Sequence, residues 1–341
     1  MVIRAAKHPR LLLRFRPLLN QCPSTRSMSS VQSVEKAVRA EVEAKNYDKV
    51  PDLLISLESC QGPNPFSFFS SFPQNLRVQI IDDMLQSFIP IRPRSKPRIA
   101  YSYLLSYTLQ SFHPLPLALA IIQRTLRSGC IPVPQTLVLL SFAWSKRRQS
   151  QSVTNLLLEM QSIGYHPDCG TCNYLLSSLC AVDDLAEAVK VLKGMGGAGC
   201  VPNVESYDIV IGAICRARKT DMALDLMKQM VVKYGLTPRQ GTLVKLFAAL
   251  RVNREVWKAV EMIEFLEKEG YPIGFESYEL VIEGCLERRE YVLAGKVAVE
   301  MTDRGFIPYI NVRQKITGGL ASINEWKIAC AVRERFAALG S

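Results

Sequence analysis

The sequence predicts an all-α fold, a right-handed solenoid of stacked helix–turn–helix pairs. Two observations predict it: glycines recur at a near-constant spacing, and the apolar residues between them follow a helical period. Seven glycines stand in register, separated by 35, 35, 36, 35, 35 and 35 residues: Gly129, Gly164, Gly199, Gly235, Gly270, Gly305 and Gly340. Because glycine readily adopts the left-handed conformation that closes a helix, each is expected to end one helix pair.

Prolines support the same register. Five of them stand three residues after a register glycine: Pro132, Pro167, Pro202, Pro238 and Pro308. After Gly270 the proline comes earlier, at Pro272. Since proline cannot continue a helix, these positions agree with the stops that the glycines predict.

Apolar residues between the stops are spaced as on helices. In one repeat they step by 3, 1, 3 and 1 residues through Tyr207, Val210, Ile211, Ile214 and Cys215, and a second helical pattern follows. A small residue recurs early in the second helix, at Ala118, Ala188, Ala223, Ala259, Ala294 and Ala329, and Val153 is the exception to this series. Each repeat is therefore expected to hold two short amphipathic helices that approach closely at the small residue.

The register divides the chain into a leader, a divergent helical region and about seven repeats. The leader is residues 1–30 and the divergent region is residues 31–98, in which 62–98 has the pattern of a degenerate leading repeat. The repeats are expected at residues 99–133, 134–168, 169–203, 204–239, 240–274, 275–309 and 310–341. One helix pair cannot bury its own apolar face, so the stacked pairs are expected to share a continuous core.

The leader has the composition of an organelle transit peptide. It contains six basic residues and no acidic one, and Arg14 and Arg16 interrupt the apolar run that a secretory signal needs. The rest of the chain therefore carries +5 of the formal net charge of +11. A high arginine content with modest serine favours mitochondria, with plastids as the second choice. A merely basic N-terminus is the plain alternative.

Composition and motifs argue against several classes of protein. No window reaches the ~18 consecutive apolar residues of a membrane span, and the ten cysteines fit no secreted disulfide framework. The glycine-rich segment 194–199 matches a dinucleotide-binding pattern but closes a helix instead of opening one. The pair Cys169 and Cys172 lacks the second cysteine pair of a structural zinc site. We expect no metal, cofactor, small-molecule substrate or membrane partner, and no enzyme activity.

Three repeats share a set of residues that identifies a family. Repeat 169–203 contains Cys172-Asn173, Cys180, Ala188, Met195 and the ending Gly199-Cys200-Val201-Pro202-Asn203. Repeat 204–239 contains Tyr207-Asp208, Cys215, Ala223, Met230, Gly235 and Pro238, and repeat 134–168 ends in Gly164-Tyr165-His166-Pro167-Asp168. These units resemble the plain 35-residue class of the pentatricopeptide repeat family of plant and organelle proteins. A tetratricopeptide unit would have 34 residues and would lack this ending.

The resemblance implies binding of single-stranded RNA in an organelle, with one base read per repeat. In the family, the residue after the tyrosine position and the last residue of the repeat face the base together. These positions define the pairs Tyr103/Val133, Val138/Asp168, Asn173/Asn203, Asp208/Arg239, Val244/Gly274 and Glu279/Tyr309, with Gln314 alone in the last repeat. The resemblance makes Asn173/Asn203 a pyrimidine reader, and Asp168 and Asp208 further candidate contacts.

Basic residues concentrate where the first helix of a repeat turns into the second. They are Lys146, Arg147, Arg148, Arg216, Arg218, Lys219, Arg251, Arg254, Arg288 and Arg289. Four repeats thus place cations at one edge, which fits a surface that follows RNA phosphates. The alternative is a solvated turn, where cations are favoured by the helix dipole.

Two functions follow as hypotheses. The first is an organellar RNA-binding protein that acts in transcript processing, stabilisation or translation. The second is a scaffold that binds other organellar proteins, such as an accessory component of an organellar ribosome. Acidic residues at the second position of two repeats, Glu205 and Glu276, favour the scaffold. The basic edge and the Asn173/Asn203 pair favour RNA.

Overall fold

The computed structural model describes residues 25–55, 63–111 and 113–338, and every regular element in these ranges is a helix. The described residues form two compact bodies. The amino-terminal body comprises residues up to 139 with Met160–Tyr165, and the carboxy-terminal body comprises Leu140–Glu159 with the residues from His166 onward. Most of the predicted transit peptide and the last register glycine, Gly340, lie outside the described residues. The all-α fold is confirmed.

The amino-terminal body contains five helices in the described ranges. They are α1 (Thr25–Glu43), α2 (Val50–Ile55), α3 (Gln74–Ser87), α4 (Ser95–Leu109) and α5 (Leu115–Arg127). Helix α4 packs on α2 and on α5, and α3 packs on α5. A short 3₁₀ segment, Ser67–Ser71, precedes α3. It contributes Phe69, which stacks on Phe66 with ring centroids 5.6 Å apart. This aromatic core lies in the region where the sequence predicts only a degenerate repeat.

Twelve further helices lie between residues 135 and 338. Their bounds are α6 (Gln135–Arg148), α7 (Val153–Leu158), α8 (Cys169–Ala181), α9 (Leu185–Gly194), α10 (Val204–Arg216), α11 (Thr220–Tyr234), α12 (Gln240–Val252), α13 (Val256–Lys268), α14 (Phe275–Glu287), α15 (Tyr291–Asp303), α16 (Ile310–Ser322) and α17 (Trp326–Ala338). From α8 onward, the first helix of each predicted repeat begins at that repeat's first residue. Short 3₁₀ turns extend α7 and α9.

Two rows of helices build the carboxy-terminal body. The first helices α8, α10, α12 and α14 contact one another in sequence, and from α9 onward each second helix packs on the first helix of its own repeat. Residues such as Tyr207, Met227 and Tyr278 fill the space between the rows and are buried. The stacking therefore supplies the core that a single pair cannot form.

Left-handed residues end the second helices, as predicted. The six described register glycines all have positive φ, between 58° and 82°. A second left-handed residue, which the sequence pattern does not predict, lies in the turn between the two helices of a repeat. In five successive repeats it is Asp183, Arg218, Arg254, Arg289 and Asn324, with φ between 58° and 64°.

The glycine-rich segment 194–199 lies at a helix end and in the 3₁₀ turn that follows, ending in the left-handed Gly199. It does not follow a strand or open a helix, so it lacks the context of a dinucleotide site. Over the described residues, none of the helices has both the length and the apolar character required to cross a membrane.

Candidate nucleic-acid interface

The two asparagines of the predicted reader pair lie against each other. Asn173, on α8, donates from Nδ2 to Oδ1 of Asn203 over 3.4 Å. Asn173 is only 5% exposed, whereas Asn203 is exposed. The pair therefore consists of a buried amide that contacts an accessible one.

The position of Asn203 follows from its role as the N-cap of α10. Its Oδ1 accepts from the backbone N–H of Ser206 over 2.9 Å, and the Ser206 hydroxyl accepts from the Asn203 backbone N–H over 3.2 Å. This reciprocal capping box satisfies two backbone donors at the helix start. The Ser206 hydroxyl also donates to Oδ1 of Asn173 over 2.6 Å. Ser206 therefore holds both asparagines in one orientation.

The next predicted pair, Asp208 and Arg239, forms an ion pair. Arg239 Nη1 lies 3.0 Å from Asp208 Oδ2, and the hydroxyl of Thr242 donates to Asp208 Oδ1 over 2.6 Å. The Asp208 side chain is 12% exposed, whereas that of Arg239 is largely exposed. Arg239 thus offsets the negative charge of Asp208 at this surface.

A hydroxyl from the next repeat orients each of these pairs. Ser206 and Thr242 are the third residues of their repeats, and each binds the fifth residue of the preceding repeat. At the same third position, Thr171 donates its hydroxyl to Asp168, the N-cap of α8, over 2.7 Å. The equivalent Ser277 hydroxyl is buried and has no hydrogen-bond partner within the described part of the chain. The fifth residue of the preceding repeat, which would be its partner, is the apolar Val244. Sequence reasoning missed this row of hydroxyls.

The three predicted cations at the end of α6 have different surroundings. Arg147 pairs with Glu159 at 3.3 Å, and Arg148 Nε lies 2.7 Å from Glu187 Oε1. Lys146 is exposed. Because both arginines are held in ion pairs inside the protein, Lys146 is the accessible cation of this group.

The cations at the end of α10 are more accessible. Arg216, Arg218 and Lys219 are all exposed. A Cβ built on Gly212 would lie 3.8 Å from Lys245 Nζ and 3.9 Å from Arg216 Nη1, so these two cations flank the same glycine. Lys245, on α12, is exposed and was not among the predicted contacts. The first helices of two adjacent repeats thus share a positive patch over Gly212.

The first helix of repeat 275–309 is acidic on one face. Glu276, Glu279, Glu283 and Glu287 are spaced by three or four residues on α14. Burial raises the pKa of Glu279, and neighbouring Glu283 and Glu276 raise it further. Arg251 of α12 binds both Glu283 and Glu287, with 3.2 Å from its Nε to Glu287 Oε1. Arg251 is therefore engaged within the protein, unlike Arg216.

The cysteines near the reader pair are packing residues. Cys172 is buried, and contact with the Cys200 thiol together with burial raises its pKa, so it stays a neutral thiol. Within the described residues, no three His, Cys, Asp or Glu side chains are arranged to hold a metal ion.

The stacked helix pairs, ended by left-handed glycines, define the class of protein. It is a helical-repeat protein whose first helices carry exposed basic and acidic side chains. Comparison with known sequences names the family. A model of the PPR repeat family matches residues 167–216, and one described as pentatricopeptide repeat-containing protein matches residues 204–297. A pentatricopeptide repeat-containing protein of Arabidopsis thaliana is 57% identical over 344 residues, covering 100% of each chain. The chain belongs to the pentatricopeptide repeat family.

Two further similarities are more distant. The Arabidopsis small ribosomal subunit protein mL103 is 24% identical over 285 residues, which cover 81% of this chain and 63% of that protein. The crystal structure of the maize pentatricopeptide repeat protein PPR10 aligns with 96% of this chain and 66% of its own, at 15% identity and a TM-score of 0.31. A TM-score this low does not bear on the geometry of the candidate interface.

Proposed function

We propose that this chain is a non-enzymatic, organellar protein that binds single-stranded RNA, with Asn173 and Asn203 at the centre of the contact. The observation that carries the proposal is the contact between the two amides on adjoining helix starts, 3.4 Å apart, with Asn203 exposed. Family membership supports it, because one base per repeat is the reading mode of this class.

The chemistry of the pair suits recognition of a base edge. An amide side chain offers two donors and one acceptor, so it can bond the mixed edge of a base. The Oδ1 atoms of both asparagines already accept from Ser206. The Nδ2 group of Asn203 is therefore the group we assign to the base, with Asn173 as the residue that positions it.

We infer the position of the RNA from the charges around the pair. Arg216 and Lys245 flank Gly212 on the helices that follow Asn203, and they suit the phosphates next to the base. The carboxylates of α14 disfavour phosphates along the face that carries them. We therefore centre the base contacts on repeats 169–203 to 240–274, and assign transcript processing, stabilisation or translation as the role of the RNA binding.

Replacing Asn173 by alanine is expected to weaken binding to the preferred RNA and to leave salt-sensitive, non-specific binding nearly intact. The variant removes the amide that positions Asn203 but none of the cations, and losing the base contact of Asn203 costs about 1–3 kcal/mol. The measurement is selection from a pool of short single-stranded RNAs, followed by titration of the selected sequence and of a scrambled one.

Asn155→Ala is the matched control, because it removes an exposed amide from the second helix α7. Thermal melts must show both variants folded, since Asn173 also bonds Ser206. The reader assignment is wrong if Asn173→Ala selects the same sequence with the same affinity as the parent protein.

A protein scaffold is the second candidate, favoured by the similarity to a ribosomal protein and by the acidic face of α14. Unlike RNA binding, a scaffold function does not require accessible cations near the asparagine pair. Co-sedimentation with an organellar ribosome, together with an RNA pool from which nothing is selected, would favour this candidate over RNA binding.

We propose that the protein acts in mitochondria, on the basis of the acid-free, arginine-rich residues 1–30. Fused to a fluorescent reporter, these residues are expected to direct it to mitochondria. The control replaces the six basic residues by glutamine, which removes the charge that import requires. A reporter that stays in the cytosol with the native segment contradicts the proposal, and one found in plastids supports the second choice.

A further inference from the structure

Three arginines occupy a backbone conformation that does not favour arginine. Arg218, Arg254 and Arg289 have φ values of 58°, 60° and 61°, in the turn between the two helices of successive repeats. The left-handed region is disfavoured for residues with a Cβ, and apart from glycine mainly asparagine and aspartate tolerate it. The neighbouring repeats follow that preference, with Asp183 and Asn324 at the same position.

The helix dipole does not explain these arginines. A cation gains from the dipole anywhere in the last turn of a helix, where the backbone is right-handed and unstrained. Arg216 and Arg251 already occupy such positions at the ends of α10 and α12. Backbone strain kept at a defined position is an indication of function.

The three side chains are exposed. Within the described ranges, their guanidinium groups make no ion pair or hydrogen bond with the protein. The nearby acidic residues bind other cations: Asp221 and Glu255 lie 2.6 and 2.9 Å from Lys258 Nζ, and Glu287 binds Arg251. The arginines are thus available to an external anion.

Contacts between repeats bring the turns together. Asn253, which precedes Arg254, donates from Nδ2 to the carbonyl oxygen of Arg218 over 3.0 Å. Arg254 in turn lies near Glu287 of the following repeat. The pKa of Glu287 is lowered mainly by the hydrogen bond from Arg251, and the charge of Arg254 adds to this effect. One arginine per repeat therefore follows the stacking direction of the helices.

We propose that Arg218, Arg254 and Arg289 form a row of phosphate-binding side chains, one per repeat, that holds the backbone of single-stranded RNA. The inference rests on the proposed RNA binding and names the residues that hold the strand. A guanidinium binds a phosphate through two parallel hydrogen bonds. One cation per repeat matches a strand that advances one nucleotide per repeat.

The test replaces all three arginines by glycine, which removes the charges and suits the left-handed turn. The melting temperature is expected to stay or rise. The variant is titrated with a mixed-sequence single-stranded RNA between about 50 and 200 mM salt. Each phosphate contact contributes about 0.7 to the slope of log affinity against log salt, so the loss of three contacts is expected to reduce the magnitude of the slope by about 2. Raising the salt from 50 to 200 mM should therefore weaken binding by a factor about 15 times smaller in the variant than in the parent protein.

Two further variants decide the outcome. Replacing the three arginines by asparagine, the residue found at position 324, controls for the added flexibility of glycine in the turns. This variant is expected to show the same decrease in slope as the glycine variant. Replacing Lys193, Lys228 and Lys268 by glutamine removes the same charge from exposed sites on second helices, and it should leave the slope near that of the parent protein.

A parent-like slope in the arginine variants, or an equal change in the lysine variant, overturns the phosphate row while RNA binding stands. A parent protein that binds no single-stranded RNA overturns the proposed function, and the row with it.

Discussion

Replacing Leu192 by alanine is expected to lower the free energy of unfolding by about 2–5 kcal/mol. Leu192 is 1% exposed on α9, on the buried side that also includes Leu185 and Ala188. Truncation removes apolar contacts and leaves a cavity, because the adjoining helices α8 and α10 are held by their own neighbours. The measurement is chemical denaturation followed by circular dichroism.

The shape of the transition is a second readout of Leu192→Ala. Since repeats couple only to their neighbours, weakening one of them is expected to broaden or split the melt. Val232→Ala is the control, because Val232 is 66% exposed on α11 and its change should stay within about 0.5 kcal/mol. An equally small effect at Leu192 would contradict the packing of α9.

Replacing Gly194 by alanine is expected to cost about 1–3 kcal/mol, the usual penalty of overpacking. A Cβ at this position would lie 2.6 Å from Cγ1 and 2.8 Å from Cβ of Val153. Valine is β-branched and stiff at χ1, so its side chain cannot rotate away. Gly196→Ala is the matched control, because nothing lies within 4 Å of a Cβ there.

The partner change Val153→Ala should recover part of that loss. It removes the methyl groups that a Cβ on residue 194 would strike, so the two substitutions should be non-additive by about 0.5–3 kcal/mol. A double-mutant cycle in the same denaturation assay measures this interaction. Strictly additive effects would show that Gly194 and Val153 do not constrain each other.

This contact also explains the one exception in the series of small residues. At the position where six other repeats have alanine, Val153 enters the space that Gly194 leaves open. The sequence shows an unusual valine and a glycine-rich helix end as unrelated features, 41 residues apart. Only the packing of α7 beside α9 shows that they compensate each other.

The sequence likewise predicted only part of the candidate interface. The family resemblance pairs Asn173 with Asn203, and the two side chains are in contact in the structure. Neither the resemblance nor the repeat register reveals that Ser206 bonds both amides, because that contact joins side chains of different repeats. The sequence also counts Arg148 and Arg216 alike as edge cations, although Arg148 is paired with Glu187 and Arg216 is exposed.

The sequence by itself determined the all-α class, the repeat length, the helix ends and the family. Each depends on local chemistry that recurs every 35 or 36 residues, such as the glycine that ends a helix and the proline that follows it. Only the tertiary structure decided which charged groups are free, which amide faces solvent, and that Arg218, Arg254 and Arg289 occupy left-handed turns. The physical reason is that ion pairing, burial and turn conformation depend on the neighbouring repeat, and the pattern within one repeat does not contain that neighbour.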